Sequence, residues 1–323
     1  MLKAVGLFGG RNKKSPPLFK DYYGEWITTL KTTLLPSLHQ SLSDTSPSSL
    51  PRLSLHVDAL HRHFQSYYDS LDAAAQNDVA QILFPDWRNP LEKPFLWLAD
   101  LHPYLFTNLL RSFLDQDSDD DDDDSLVVQF GDRPWHVATA WRSPSNSLAQ
   151  KVEQVECGLR LMVPALAARA RDAQAAFVER VAKNWGPFDG GKKETAKAVM
   201  AEAMEAEMEE MVSVVLDANR LRRSVLAEII GATSVYQAAL FLEGLAQFLV
   251  GFRNPELLAQ FDQCKTPLTK QCRLARKGTT LFEWLDPIMR MGMQKSMTTG
   301  NGTVTSRDVA AVPYLSSFLG YEE

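Results

Sequence analysis

"WRNPLEKPFLWLADLHP", residues 87–103, sets two tryptophans and a phenylalanine among three prolines. Its signals read as a helix start. Asn89 is a good N-cap, Pro90 fits the first helical position, and Glu92 in the first turn complements the helix dipole. Leu91, Phe95, Leu98 and Leu101 then fall on one face, with Trp97 beside it. Pro94 removes an amide just after the first turn, which predicts a tightened or kinked start. His102-Pro103 ends this helix, and Pro103 opens the next, over 103–114. The stretch is therefore expected to be a proline-bounded corner between two short helices, with Phe95 and Trp97 in the core. Its length and the charges of Glu92, Lys93 and Asp100 exclude a membrane span.

The flanking sequence has the helical period too. Phe19, Tyr22, Tyr23, Trp26, Leu30, Leu34 and Leu38 predict a helix from Phe19 to Leu42, bent or interrupted near Pro36. Leu53, Val57, Leu60, Phe64, Tyr67 and Leu71 step by four and three, a stripe that faces a bundle. A short helix is expected around 76–83. Heptad-like steps predict two long helices, 146–183 with a kink at Pro164 and 194–230 ending at Gly231. Thr233 or Ser234 should cap a further helix to Phe252. "SLVVQF" (125–130) reads as a short strand or extended pairing segment, and no alternating strand series follows. The fold class is all-α: a multi-helix bundle with two long helices and an acidic, disordered insertion. Its parts are a flexible arm (1–18), a helical domain (19–253) interrupted by the insertion (115–146), and a partly helical C-terminal extension with a flexible tail (254–323).

Of the 323 residues, 45% are hydrophobic, enough for a sizeable core. The net charge of −6 is local, because "DQDSDDDDDD" (115–124) holds eight aspartates and the rest is nearly balanced. Three scattered cysteines argue against a disulfide framework and for a reducing compartment. The run 236–252 is interrupted by Gln237, Glu243 and Gln247 and reads as a buried bundle helix rather than a membrane span.

No motif for a catalytic nucleophile or a metal site appears. "GPFDGGKK" (186–193) nearly matches a phosphate loop, but Lys193 stands where Ser or Thr must hold magnesium, so it reads as a helix–helix connection. His56 and His63 lie seven apart without an acidic or thiol partner at helical spacing. The reading is of no enzyme, no metal and no cofactor. Three surfaces remain as candidates. Asp119, Asp120, Asp121, Asp122, Asp123 and Asp124 suit a basic partner. Lys13, Lys14, Lys270, Arg273, Arg276 and Lys277 suit weak contact with anionic lipid. Met204, Met208 and Met211 suit an apolar pocket, with the Phe95/Trp97 corner as its other wall.

The segment 78–110 resembles the central signature of the plant delay-of-germination domain. The resemblance is carried by Trp87, Pro90, Glu92-Lys93, Phe95-Leu96-Trp97, His102-Pro103 and Leu109-Leu110. "FKDYYGEWITTL" (19–30) looks like the start of that domain, and 218–255 looks like its C-terminal helix pair. The resemblance implies that Trp87, Pro90, Glu92, Phe95, Trp97 and Pro103 have structural or interaction roles. Within the family the likeness runs toward members that specify pollen apertures. That implies a non-catalytic interaction protein gathered by protein partners at plasma-membrane domains of developing microspores, where exine is excluded. The location implied is cytoplasmic and peripheral to that membrane. Some family members are bZIP transcription factors, but no basic region or heptads precede Phe19, so direct DNA binding is not expected. No histidine follows His136, so the haem ascribed to the germination regulator is not carried over. The alternatives are a sensor of an apolar ligand such as a fatty acyl chain, and a nuclear transcriptional cofactor.

Overall fold

Apolar residues at three- and four-residue steps bury one side of each helix, and the helices close around those sides. The computed structural model describes residues 18–46, 48–114, 133–142, 144–184 and 193–264. Helix α1 (Phe19–Thr29) continues through a π-helical stretch, Leu30–Leu34, into α2 (Leu35–Leu42). Pro36 has no amide to donate and sits in the first turn of α2, so the wide turn before it absorbs the mismatch and the helix runs on. Helix α3 (Ser49–Asn77) buries all six residues of its predicted stripe. It ends where Asp78 becomes extended, and α4 (Ala80–Leu83) follows.

The stretch 89–101 is not the helix that its start signals predict. Asn89 does act as a cap, its Oδ1 accepting from the amides of Leu91 and Glu92. Only one 3₁₀ turn forms, Lys93–Phe95, because Pro94 interrupts the amide series. The chain then makes a two-stranded hairpin, β1 (Leu96–Trp97) against β2 (Asp100–Leu101), pairing Leu96 with Leu101 and Trp97 with Asp100. Its two loop residues have positive φ, Leu98 at 44° and Ala99 at 77°. That backbone normally calls for Asn-Gly and costs an ordinary residue about 1–2 kcal/mol.

Helix α5 (Tyr104–Leu114) matches the predicted second helix of the corner. Part of the predicted insertion belongs to the body. The short helix α6 (Trp135–Ala138) buries Val137, and Trp141 stacks on Phe113 at 5.1 Å. The aspartates at 119–124, the segment 125–130 and most of the 186–193 loop lie outside the described residues.

Helices α7 (Asn146–Asn184) and α8 (Lys193–Ala232) form an antiparallel pair. Lys151 reaches Glu228, while Arg169 reaches Glu210 and Asp217. Pro164 lies inside a continuous α7 with its ring exposed. Met162 is 44% exposed and Val163 is buried, since 3.6 residues per turn drift from strict heptads. Helix α9 (Val235–Gly251) is buried on most sides and packs on α3, α2 and α5. A capping box begins it: Ser234 Oγ accepts from the Gln237 amide, and Gln237 Oε1 accepts from the Ser234 amide. Ser234→Ala should cost about 1 kcal/mol in urea unfolding. Helix α10 (Pro255–Cys264) follows. No single helix among the described residues is long and apolar enough to cross a membrane; α9 and α10 together pass that test but meet at a 51° bend.

Candidate functional site

The segments 19–30, 78–110 and 218–255, which carry the resemblance, meet at a buried polar cluster. Its lower half is built on Arg88, which the turn after α4 points inward at 3% exposure. Arg88 Nη1 donates to Glu92 Oε2 at 3.2 Å, and Nη2 donates to Asp100 Oδ1 at 3.1 Å and to the Tyr67 hydroxyl. Tyr67 in turn donates to Asp100 at 2.8 Å. Glu92 Oε1 also accepts from Tyr23 at 3.2 Å and from Asn89 Nδ2 at 2.9 Å. The guanidinium lies over the rings of Tyr23 (4.1 Å) and Trp87 (4.9 Å). Burial weakens Arg88's hold on its proton, but Tyr67, Tyr23, Asp100 and Glu92 around it more than reverse that. Burial pushes the Tyr23 hydroxyl up to about 12 and that of Tyr67 well above its usual value, so both remain donors.

Arg222 of α8 completes the cluster and is fully buried. Its Nε donates to Leu101 O at 2.7 Å and its Nη1 to Asn219 Oδ1 at 2.7 Å. Its Nη2 faces the carbonyls of Trp97, Leu98 (3.1 Å) and Asp100 (3.2 Å). One planar fork thereby collects the carbonyls of the hairpin loop, which explains why Leu98 and Ala99 keep a left-handed backbone. Burial lowers the Arg222 pKa, yet the group stays a cation at neutral pH. Asn219 and Arg223 tie the same turn of α8 to Asp72 of α3 at 2.7 and 2.6 Å.

Of the six signature residues, Glu92 is in this network and Trp87 covers it. Trp97 lies under Arg222, 5.5 Å from ring centre to guanidinium carbon. Phe95, half-buried rather than fully in the core, packs against Phe248 (5.3 Å) and Phe252 (5.4 Å). Pro103 is buried at the start of α5, while Pro90 is half-buried in the turn. Lys93, next to Glu92 in the signature, is exposed, and Arg88 is the partner of Glu92. Arg88, Asp100 and Arg222 were missed. A signal existed for Arg222: it stands one heptad after Val215 and one before Ile229, both buried, so a charge occupies a core position.

The methionines do not form one lining. Met211 is 5% exposed and Met204 50%. Lys13, Lys14, Lys270, Arg273, Arg276 and Lys277 lie outside the described residues. His63 is taken up by Trp26: the rings stack at 4.8 Å, and Trp26 Nε1 donates to His63 O at 2.9 Å. Glu243, buried in α9, meets Arg133 at 2.7 Å and His39 at 2.9 Å.

His102 borders the cluster between Trp97 (5.1 Å) and Tyr104 (5.2 Å), and its Nδ1 accepts from the Tyr104 amide. Burial, helped by the charge of Arg222, lowers its pKa to about 4. The unfolded chain takes up this proton near pH 6.5 and the folded chain near 4. Stability is therefore full above 6.5 and falls as pH drops toward 4. Between pH 7 and 5 the loss should be about 1–2 kcal/mol. His61 and His63 are shifted the same way by burial, so the check is a comparison of urea unfolding for the native chain and His102→Phe. The variant should lose less stability on acidification.

Residues 34–112 match the family model described as seed dormancy control, DOG1. The Arabidopsis thaliana Protein INAPERTURATE POLLEN1 is 48% identical over 267 residues, which cover 79% of this chain and 97% of that protein. A rice homolog of that protein is 38% identical over 251 residues, 76% of this chain and 89% of its own length. Rice Transcription factor TGAL6 is 25% identical over 235 residues, 73% of this chain and about half of its own. The matched family segment contains all but the α8 side of the buried cluster's anchoring residues, apart from Tyr23, and the Arabidopsis relative is matched nearly end to end. On that evidence the chain belongs to the INAPERTURATE POLLEN1 family of DOG1-domain proteins.

Proposed function

We propose that the chain acts in pollen aperture formation as a non-catalytic interaction protein. In this reading it gathers at plasma-membrane domains of developing microspores through protein partners and keeps exine from being deposited there. The observation that carries the reading is the 48% identity across 97% of INAPERTURATE POLLEN1. The chemistry of the interior supports the scaffold part. Arg88, Glu92, Asp100 and Arg222 are engaged with one another and with backbone. The void beside them, bounded by Tyr23, Tyr67 and Arg88, has a volume of about 10 Å³, room for about one water.

The test is complementation. The full chain, fused to a fluorescent protein, is expressed in Arabidopsis pollen that lacks its own relative. Restored apertures, with fluorescence confined to the membrane patches beneath them, are expected. Failure to restore apertures would sink the reading. A second reading, a transcriptional cofactor, is favoured by the match to TGAL6; nuclear fluorescence with restored apertures would select it. Deleting Asp119–Asp124 tests the acidic contact separately, and unchanged location and apertures would remove that contact from the account.

A further inference from the structure

An open cleft of about 830 Å³ lies between α1 and the turn carrying Trp87, with Arg253 at one side. Arg253 shares the nearest carboxylate with other donors. Glu92 is already bonded to Arg88, Tyr23 and Asn89, and Arg253 Nε only approaches its Oε1 at 3.4 Å. That buried Nε makes no hydrogen bond among the described residues, while about a third of the side chain is exposed to the cleft. The charges on α1 are sorted by helical geometry. At roughly 100° per residue, Lys20 and Gly24 lie next to Tyr23, the residue over which Arg253 sits at 5.1 Å. Asp21 and Glu25 lie farther round, on the outer side. The inner wall is thus cationic and the outer wall anionic. Gly24 leaves the wall low: a Cβ built there meets nothing within 4 Å.

We propose that this cleft is a docking site for a protein partner. The partner presents an extended segment with an acidic side chain for Arg253 and Lys20 and a nearby basic side chain for Asp21 and Glu25. The chain passes over Gly24, where a side chain would obstruct it, and Trp87 supplies an apolar wall. The cleft is open along its length, which suits a strand of polypeptide better than an enclosed small molecule. The inference deepens the interaction-protein reading by giving that reading a surface.

The test is selection of seven-residue peptides from a random library on the purified full chain, counter-selected against Gly24→Leu. Leucine is a better helix former than glycine and points into open space, so this variant keeps its fold, and an unchanged or raised Tm verifies that. Recovered peptides should pair Asp or Glu with Lys or Arg. Synthetic versions should bind the native chain and lose at least tenfold affinity with Gly24→Leu and with Lys20→Glu. Replacing the acidic residue by its amide should weaken binding at least fivefold. Uniformly apolar peptides, or binders indifferent to Gly24→Leu, would overturn the proposal. So would vesicles containing phosphatidylserine that bind the native chain but not Lys20→Glu, since they would make the cleft a lipid contact. Because the selection is done on purified protein, its failure leaves the complementation result standing, and the reverse also holds.

Discussion

Arg222→Met should destabilise the folded chain by about 3–5 kcal/mol, a large part of the 5–15 kcal/mol that holds a typical domain together. The substitution keeps the aliphatic bulk and removes all five donors. Four hairpin carbonyls, those of Trp97, Leu98, Asp100 and Leu101, lose their partner, and so does Asn219 Oδ1. Buried acceptors left without a donor cost about 1–3 kcal/mol each when no water can reach them. The hairpin loses at the same time the contacts that offset the positive φ of Leu98 and Ala99. Urea unfolding at pH 7, followed by far-ultraviolet circular dichroism, reads the loss. Arg222→Lys is the control that separates charge from shape. Its compact ammonium cannot span carbonyls on both strands and Asn219 together, so most of the loss should remain. A lysine variant as stable as the native chain would show that the fork geometry is immaterial.

The same contacts explain where sequence reading stopped. The helices were legible because their cause is local: Leu53 to Leu71 step by three and four, and such a stripe has one way to be buried. The end of α8 and the Ser234 cap were legible for the same reason. The stretch 89–101 was not. Asn89, Pro90 and Glu92 are true start signals, and the chain obeys them for one turn. What turns it into a hairpin is an arginine 121 residues away, and neither Leu98 nor Ala99 belongs to the residue types that announce a positive φ. Glu92 was singled out for the helix dipole, and its buried partner Arg88, four residues earlier, was not, because nothing local to Arg88 shows that the turn after α4 carries it inside. The candidate cleft was invisible for a related reason, since Lys20, Trp87 and Arg253 share no spacing that a single sequence displays.

The second large effect is expected at Arg88. Arg88→Met removes the cation that both Glu92 and Asp100 face, and each carboxylate remains below 5% exposure. The cost of stranding a buried charge is about 3–5 kcal/mol, and this site should fall near the lower end. Glu92 keeps Tyr23 and Asn89, and Asp100 keeps Tyr67, so neither is left bare. A double-mutant cycle separates stranded charge from lost packing. Arg88→Met with Glu92→Gln should be less destabilising than the sum of the single changes by about 1–3 kcal/mol, because the second substitution removes a charge that the first abandoned. Additive single effects would mean that Arg88 acts through its packing on Tyr23 and Trp87 and that its ion pair with Glu92 contributes nothing.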